Sequence, residues 1–138
     1  VAVDRERAML EASRKRLAEF DNIRFVEGDL LDLDLKSESV DAAVMMLVLH
    51  HLREPLAAVA EAARILRPGG VLLVVDMVAH DRDTYQLTMG HEHLGFEESA
   101  ILGLGERGGF DRVSWRRLRP MPGGKGPGLF AASLFKSS

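Results

Sequence analysis

VDAAVMMLVLHHL, residues 40–52, carries the reading of the fold. Every position from Ala42 to Leu49 is apolar, and so unbroken a run suits a strand covered on both faces, as in a parallel sheet flanked by helices. His50-His51 stands where such a strand would leave the sheet. Ligands of open α/β sheets bind beyond the carboxyl ends of the strands, so the two histidines mark the chemical end of the domain. Working outward, Arg53-Glu54-Pro55 reads as a helix start with proline at the first helical position. Leu56, Val59, Ala63 and Leu66 repeat at helical spacing, and Pro68-Gly69-Gly70 reads as the stop. Val71–Val75 is a second wholly apolar strand, closed by Asp76. Residues 40–75 are thus predicted to form a strand–helix–strand unit with a right-handed crossover.

Upstream, Val1–Val3 predicts a short strand stopped by Asp4, and Glu6–Glu19 predicts a helix. Met9, Leu10, Ser13, Leu17 and Phe20 fall on one side of that helix, and Glu11/Lys15 are spaced as an i,i+4 pair. Ile23–Val26 reads as a strand ending at Glu27-Gly28-Asp29, and Leu30–Ser39 as a polar connection. Downstream, His80–Gly95 is irregular and holds His80, His91 and His93 with the single tyrosine, Tyr85. Phe96–Arg107 predicts a helix diluted by Gly103 and Gly105. Two strands follow, Phe110–Leu118 and Leu129–Phe135, and the short turn-rich link of residues 120–128 requires them to pair antiparallel.

The chain of 138 residues is read as a single domain, 1–138, with net charge −3 and a pI near 6.0. That charge gives no reason to expect nucleic acid as a partner, and Arg112, Arg116, Arg117 and Arg119 read as a solvated strand face. There is no cysteine, which excludes disulfides, thiolate metal sites and cysteine nucleophiles. The longest apolar run is well short of the ~20 residues of a membrane span, and no secretory signal opens the sequence. A cytoplasmic protein with no membrane partner is expected.

Four stretches, VAVDRERAML, VEGDLLDLDL, VDAAVMMLVLHHL and ILRPGGVLLVVDM, together resemble the small-molecule branch of the class I S-adenosylmethionine-dependent methyltransferases. DMVAHDRDTYQLTMGHEHLGF is further similar to the methyltransferase domain of ArsR-type regulator/methyltransferase proteins. The resemblance implies an α/β fold: a Rossmann-like, mostly parallel sheet with flanking helices and a carboxyl-terminal antiparallel hairpin. It implies S-adenosylmethionine as cofactor, a small-molecule acceptor and methyl transfer between them. By the same resemblance Asp4 would accept hydrogen bonds from the ribose hydroxyls, as the two oxygens of a carboxylate can. Asp29 and Leu30 would meet the adenine, Met9 would pack near the adenosine, and Leu47 to His50 would line the methionine end. The segment His80–Gly95 would cover the acceptor, with His51, His80, Tyr85, His91 and His93 shaping its pocket.

The family's first strand and its glycine-rich loop would lie before Val1, so the sequence reads as a methyltransferase domain truncated at its amino end. A central strand of about 5 residues contributes on the order of 7–15 kcal/mol through its apolar side chains, comparable with the whole stability of a domain. The two strands that flank the gap are therefore expected to pair directly, or a homodimer to cover them. Other readings stand beside methyl transfer. A catalytically silent fragment or interaction module is one, and a nicotinamide-dependent oxidoreductase is another, since an acidic residue after the second strand binds ribose there too. Asp4 can equally be a helix N-cap and Asp29 a turn residue. His91-Glu92-His93 would place two histidines on one strand face, but no third ligand is evident from spacing, so no metal is expected.

Overall fold

The computed structural model describes residues 1–120, 122–123 and 126–138, without the side chains of Tyr85 and Leu87. It divides into two compact units, residues 1–35 and 36–138.

In the first unit, strand β1 (Ala2–Asp4) pairs parallel with β2 (Phe25–Glu27), and helix α1 (Arg7–Arg16) packs on both. Leu10 is the buried residue of α1, whereas Met9 and Phe20, predicted on the same side, are 56% and 52% exposed. The ion pair along α1 is Arg7–Glu11 at 3.5 Å rather than Glu11/Lys15. The helix N-cap is Glu6, not Asp4. Asp4 Oδ1 instead accepts the Glu6 N–H at 2.8 Å, which fixes the turn leading into the helix.

In the second unit, β3 (Val40–Met46), β4 (Leu66–Met77), β6 (Leu129–Phe135) and β5 (Arg112–Arg117) form one sheet in that order. β3 and β4 are parallel and joined through helix α2 (Pro55–Ile65), while β6 runs antiparallel to both β4 and β5. Helix α3 (Thr84–Met89) interrupts the irregular stretch, and helix α4 (Glu98–Arg107) packs on α2 and β5. The core lies on one sheet face, where Met45, Leu72, Val74, Phe130, Ala132 and Leu134 are buried with Val59 and Ala62 of α2 and Ile101 of α4. Gly105 permits this packing. A Cβ there would drive into Val113 Cγ2, so only glycine lets α4 lie this close to β5. Lys136, just past β6, donates from Nζ to the carbonyls of Ala63 at 2.9 Å and Leu66 at 2.7 Å, capping the end of α2.

Three expectations are corrected. Pro68-Gly69-Gly70 does not end the helix. α2 stops at Ile65 and the chain is already strand from Leu66, with Gly69 at φ +77° and a register shift opposite Val40/Ala42. Proline and glycine are tolerated in a strand at such an irregularity. Nor is β3 covered on both faces. It is an edge strand whose Val44 and Met46 are 61% and 59% exposed, because their face of the sheet points away from α2 and α4. The strands expected to close directly on each other do not: β1 pairs with β2 and β3 with β4, in separate sheets. Among the described residues, no helix is long and apolar enough to cross a membrane.

Candidate functional site

The first unit brings two of the predicted residues together. Asp4 closes β1 and Glu27 closes β2 in register with it, and the Gly28 N–H donates to the Asp4 carbonyl at 3.1 Å. Asp29 therefore leaves the same carboxyl edge as Asp4. Its Oδ1 accepts the Leu31 N–H at 2.9 Å, a turn that holds the carboxylate in one rotamer. Each aspartate has one oxygen engaged by a backbone N–H two residues on. A carboxylate has about four acceptor positions, so both retain capacity for donors from a ligand. Leu30 is half-buried beside Asp29, and Met9 is exposed.

The second unit gathers the histidines. After β3 the chain turns sharply at Leu47, a non-glycine residue at φ +56° whose N–H still donates to the Val75 carbonyl at 2.8 Å. A β-carbon in this left-handed region costs about 1–2 kcal/mol, a strain commonly held at functional sites. The turn feeds a 3₁₀ turn, Leu49–His51, which aims His50 across the end of β4. There His50 Nδ1 donates to Asp76 Oδ1 at 2.7 Å, with the two side chains 2% and 0% exposed. Asp76 Oδ1 also accepts the Met77 N–H at 2.7 Å, while Oδ2 is buried without a hydrogen-bond partner among the described residues. An ionised carboxylate only accepts, so it holds a proton on His50 Nδ1, and a neutral His50 ring then presents its lone pair on Nε2.

Residues 90–93 lie against this turn. The N–H groups of Glu92 and His93 both donate to the His50 carbonyl, at 2.9 and 3.0 Å, and Arg53 pairs with Glu92 at 3.1 Å. His91 is thereby buried with its ring centroid 4.3 Å from that of His50 and 5.0 Å from that of His51. Burial first, and then the neighbouring His50, His51 and His80, hold the His91 imidazole below its ordinary 6.5, against the opposing pull of Asp76. His51 is exposed and bonds through Nδ1 to the Gly90 carbonyl at 3.3 Å. His93 stands apart, its Nε2 donating to the Leu52 carbonyl at 3.0 Å. His80 is half-buried, and its Nδ1 accepts the Arg82 N–H at 3.2 Å. The side chain of Tyr85 lies outside the described residues.

Asp76 is the candidate residue that the sequence reading passed over, as a mere strand terminator. The signal was available: β3 and β4 are adjacent parallel strands, so an acid ending one and a histidine ending the other must meet. A groove of about 1100 Å³ between α2 and α4, reaching Ala79 just past β4, shares only His93 with these candidates. Strand-end geometry is the better guide to chemistry here.

An open α/β sheet with acids and histidines at its strand ends defines a class of ligand-binding domain, and comparison narrows it. A solved S-adenosylmethionine-dependent methyltransferase from Thermotoga maritima superposes with a TM-score of 0.78 at 24% identity, covering 99% of this chain and 73% of that one. The profile of the methyltransferase domain family matches residues 1–74, and the chain belongs to that family. A demethylmenaquinone methyltransferase of Clavibacter sepedonicus is 37% identical over 76 residues, which cover 55% of this chain and 31% of the relative. A ubiquinone/menaquinone biosynthesis C-methyltransferase of Paracoccus denitrificans is 27% identical, over 83% of this chain and 58% of the relative. The chain thus spans less than two thirds of the length of either relative.

Proposed function

We propose that this chain binds S-adenosylmethionine and serves methyl transfer to a small-molecule acceptor, inside the cytoplasm. The observation that carries the reading is the family match across residues 1–74, with Asp4 and Asp29 held at one carboxyl edge of two parallel strands. When bound, the cofactor would supply a sulfonium methyl group whose carbon is open to in-line attack by an acceptor lone pair, with the neutral thioether S-adenosylhomocysteine as leaving group. Asp4 accepts the ribose hydroxyls and Asp29 the adenine amine, with Leu30 and Met9 as apolar flanks and Leu47 to His50 at the methionine end. His51, His80, Tyr85, His91 and His93 shape the acceptor side. Such a transfer depends chiefly on positioning and exclusion of water, which buried, pre-oriented groups provide. The names of the two relatives make a quinone-type aromatic ring the first acceptor to try. Incubation with methyl-labelled S-adenosylmethionine and a panel of aromatic acceptors tests this. Label should enter a ring acceptor, and Asp29→Ala should abolish its entry. Label that enters nothing, although the cofactor binds, would leave a silent binding module.

That second reading is favoured by one observation, the edge strand β3 with Val44 and Met46 exposed on it and Leu47 exposed just past its end. An unpaired apolar edge invites a further strand, and a homodimer of this chain is the arrangement proposed for it. Sedimentation velocity distinguishes a dimer from a monomer directly.

A further inference from the structure

We propose that His50, His51 and His91 form a binding site for a divalent first-row transition cation of the zinc and cobalt kind. The ligand nitrogens of the three rings lie within 4.8 Å of one another. A tetrahedral zinc with bonds of about 2.0–2.1 Å sets its nitrogens about 3.4 Å apart, so the rings would close inward on a cation, and exposed His51 has room to do so.

Proximity alone would be weak, and the hydrogen bonds are what point to a cation. His50 gives its Nδ1–H to the Asp76 carboxylate, and His51 gives its Nδ1–H to the Gly90 carbonyl. Both rings are thereby fixed in the tautomer that leaves Nε2 as a lone-pair donor. Metal-bound histidines are oriented by such carboxylate and carbonyl partners. Nor is the third ring there by accident of a loose loop. Gly90, at φ +66°, turns the chain just ahead of it, and two N–H bonds to the His50 carbonyl lock the next residues in place. Neutral imidazoles suit the borderline divalent metals better than magnesium or calcium, which prefer oxygen. Three histidines leave a fourth position open for water or a ligand, at the strand end where ligands of such sheets bind. His93 is excluded, since its Nε2 is spent on the Leu52 carbonyl. The three ligands are also residues placed at the methionine end and acceptor side of the proposed methyl-transfer site, so cation binding is read without S-adenosylmethionine, independently of that reading.

The test uses the chain without a histidine tag, stripped with EDTA and titrated with Co²⁺ by visible absorption and with Zn²⁺ by calorimetry. One cation per chain should bind with micromolar affinity or better, and Co²⁺ should give the intense visible bands of a four-coordinate site. His51→Ala removes an exposed ligand without disturbing the core, so it should weaken binding at least about tenfold. His93→Ala, with circular dichroism as a check on folding, should leave affinity within about threefold. Absence of stoichiometric binding would overturn the proposal. So would a His51→Ala chain that binds as the parent does, or a folded His93→Ala chain that loses the cation equally.

Discussion

His50→Ala should be among the most damaging single substitutions in the 36–138 unit. It removes the hydrogen bond from Nδ1 to Asp76 Oδ1, made at 2.7 Å between side chains 2% and 0% exposed. A hydrogen bond to a charged group contributes about 1.5–3 kcal/mol. The carboxylate left behind keeps only the Met77 N–H, and its Oδ2 is already without a partner among the described residues. Stranding one member of a buried pair in this way costs about 3–5 kcal/mol in all. The reverse change is milder: Asp76→Ala strands a neutral imidazole N–H, at about 1–3 kcal/mol. The double variant should therefore be less destabilised than the two singles added together, by about 1–3 kcal/mol of coupling. Trp115 is the only tryptophan, stacked on Phe130 with centroids 5.7 Å apart, and Phe130 is the register partner of Asp76. Its fluorescence in a urea titration thus reports this part of the core. With a slope near 2 kcal/mol per molar, His50→Ala should lower the midpoint by about 2 M. A loss under about 1 kcal/mol, or strict additivity in the double variant, would refute the buried-pair argument.

Two glycines of α4 should respond in opposite directions. Gly103→Ala meets open space and should stabilise by up to about 1 kcal/mol through helix propensity, whereas Gly105→Ala collides with Val113 and approaches Leu134 Cδ2 at 3.2 Å. Overpacking should make the second variant about 1–2 kcal/mol less stable, and thermal melts of the pair give the comparison. Lys136→Met removes one ammonium and its two hydrogen bonds from the end of α2 and should cost about 1–3 kcal/mol; a melt within error of the parent would dismiss the cap. Hydrogen bonds from the Ser137 hydroxyl, and then from its N–H, hold the Asp111 carboxyl below its ordinary 3.8. Because the folded value is depressed, this tether is fully present above pH 3.8 and is lost as pH falls through the lower folded value. The Ser137 amide resonance should accordingly titrate with a midpoint below 3.8, and a midpoint at or above it would contradict the contact.

How much of this was legible beforehand follows from the range of each interaction. The strand–helix–strand order of residues 40–75 was legible, since apolar runs and a proline at the helix start are local signals. The closing hairpin was too, because a short link between strands leaves no alternative to antiparallel pairing. LRPGG was misread for the same reason. Proline and glycine mark a break locally, and only pairing with Val40 shows that the break is a strand irregularity. The burial of β3 was misread because periodicity reports what a strand could bury, not whether a neighbour is there. Asp4, Asp29 and His50 were legible as strand-end residues. Asp76 was legible in principle, as an acid ending the strand parallel to that of His50, but the meeting of His91 with His50 and His51 depends on contacts made across about 40 positions, which no spacing rule reaches.

The central claim is that Asp4 belongs to a working cofactor site. The direct measurement is calorimetric titration of this chain with S-adenosylmethionine and S-adenosylhomocysteine, beside an Asp4→Ala control of unchanged circular dichroism. The account predicts one site per chain, with affinity falling at least about tenfold in the control, as loss of a charge-assisted bidentate contact requires. A folded parent chain that binds neither compound, or a control that binds as well as the parent, would contradict it.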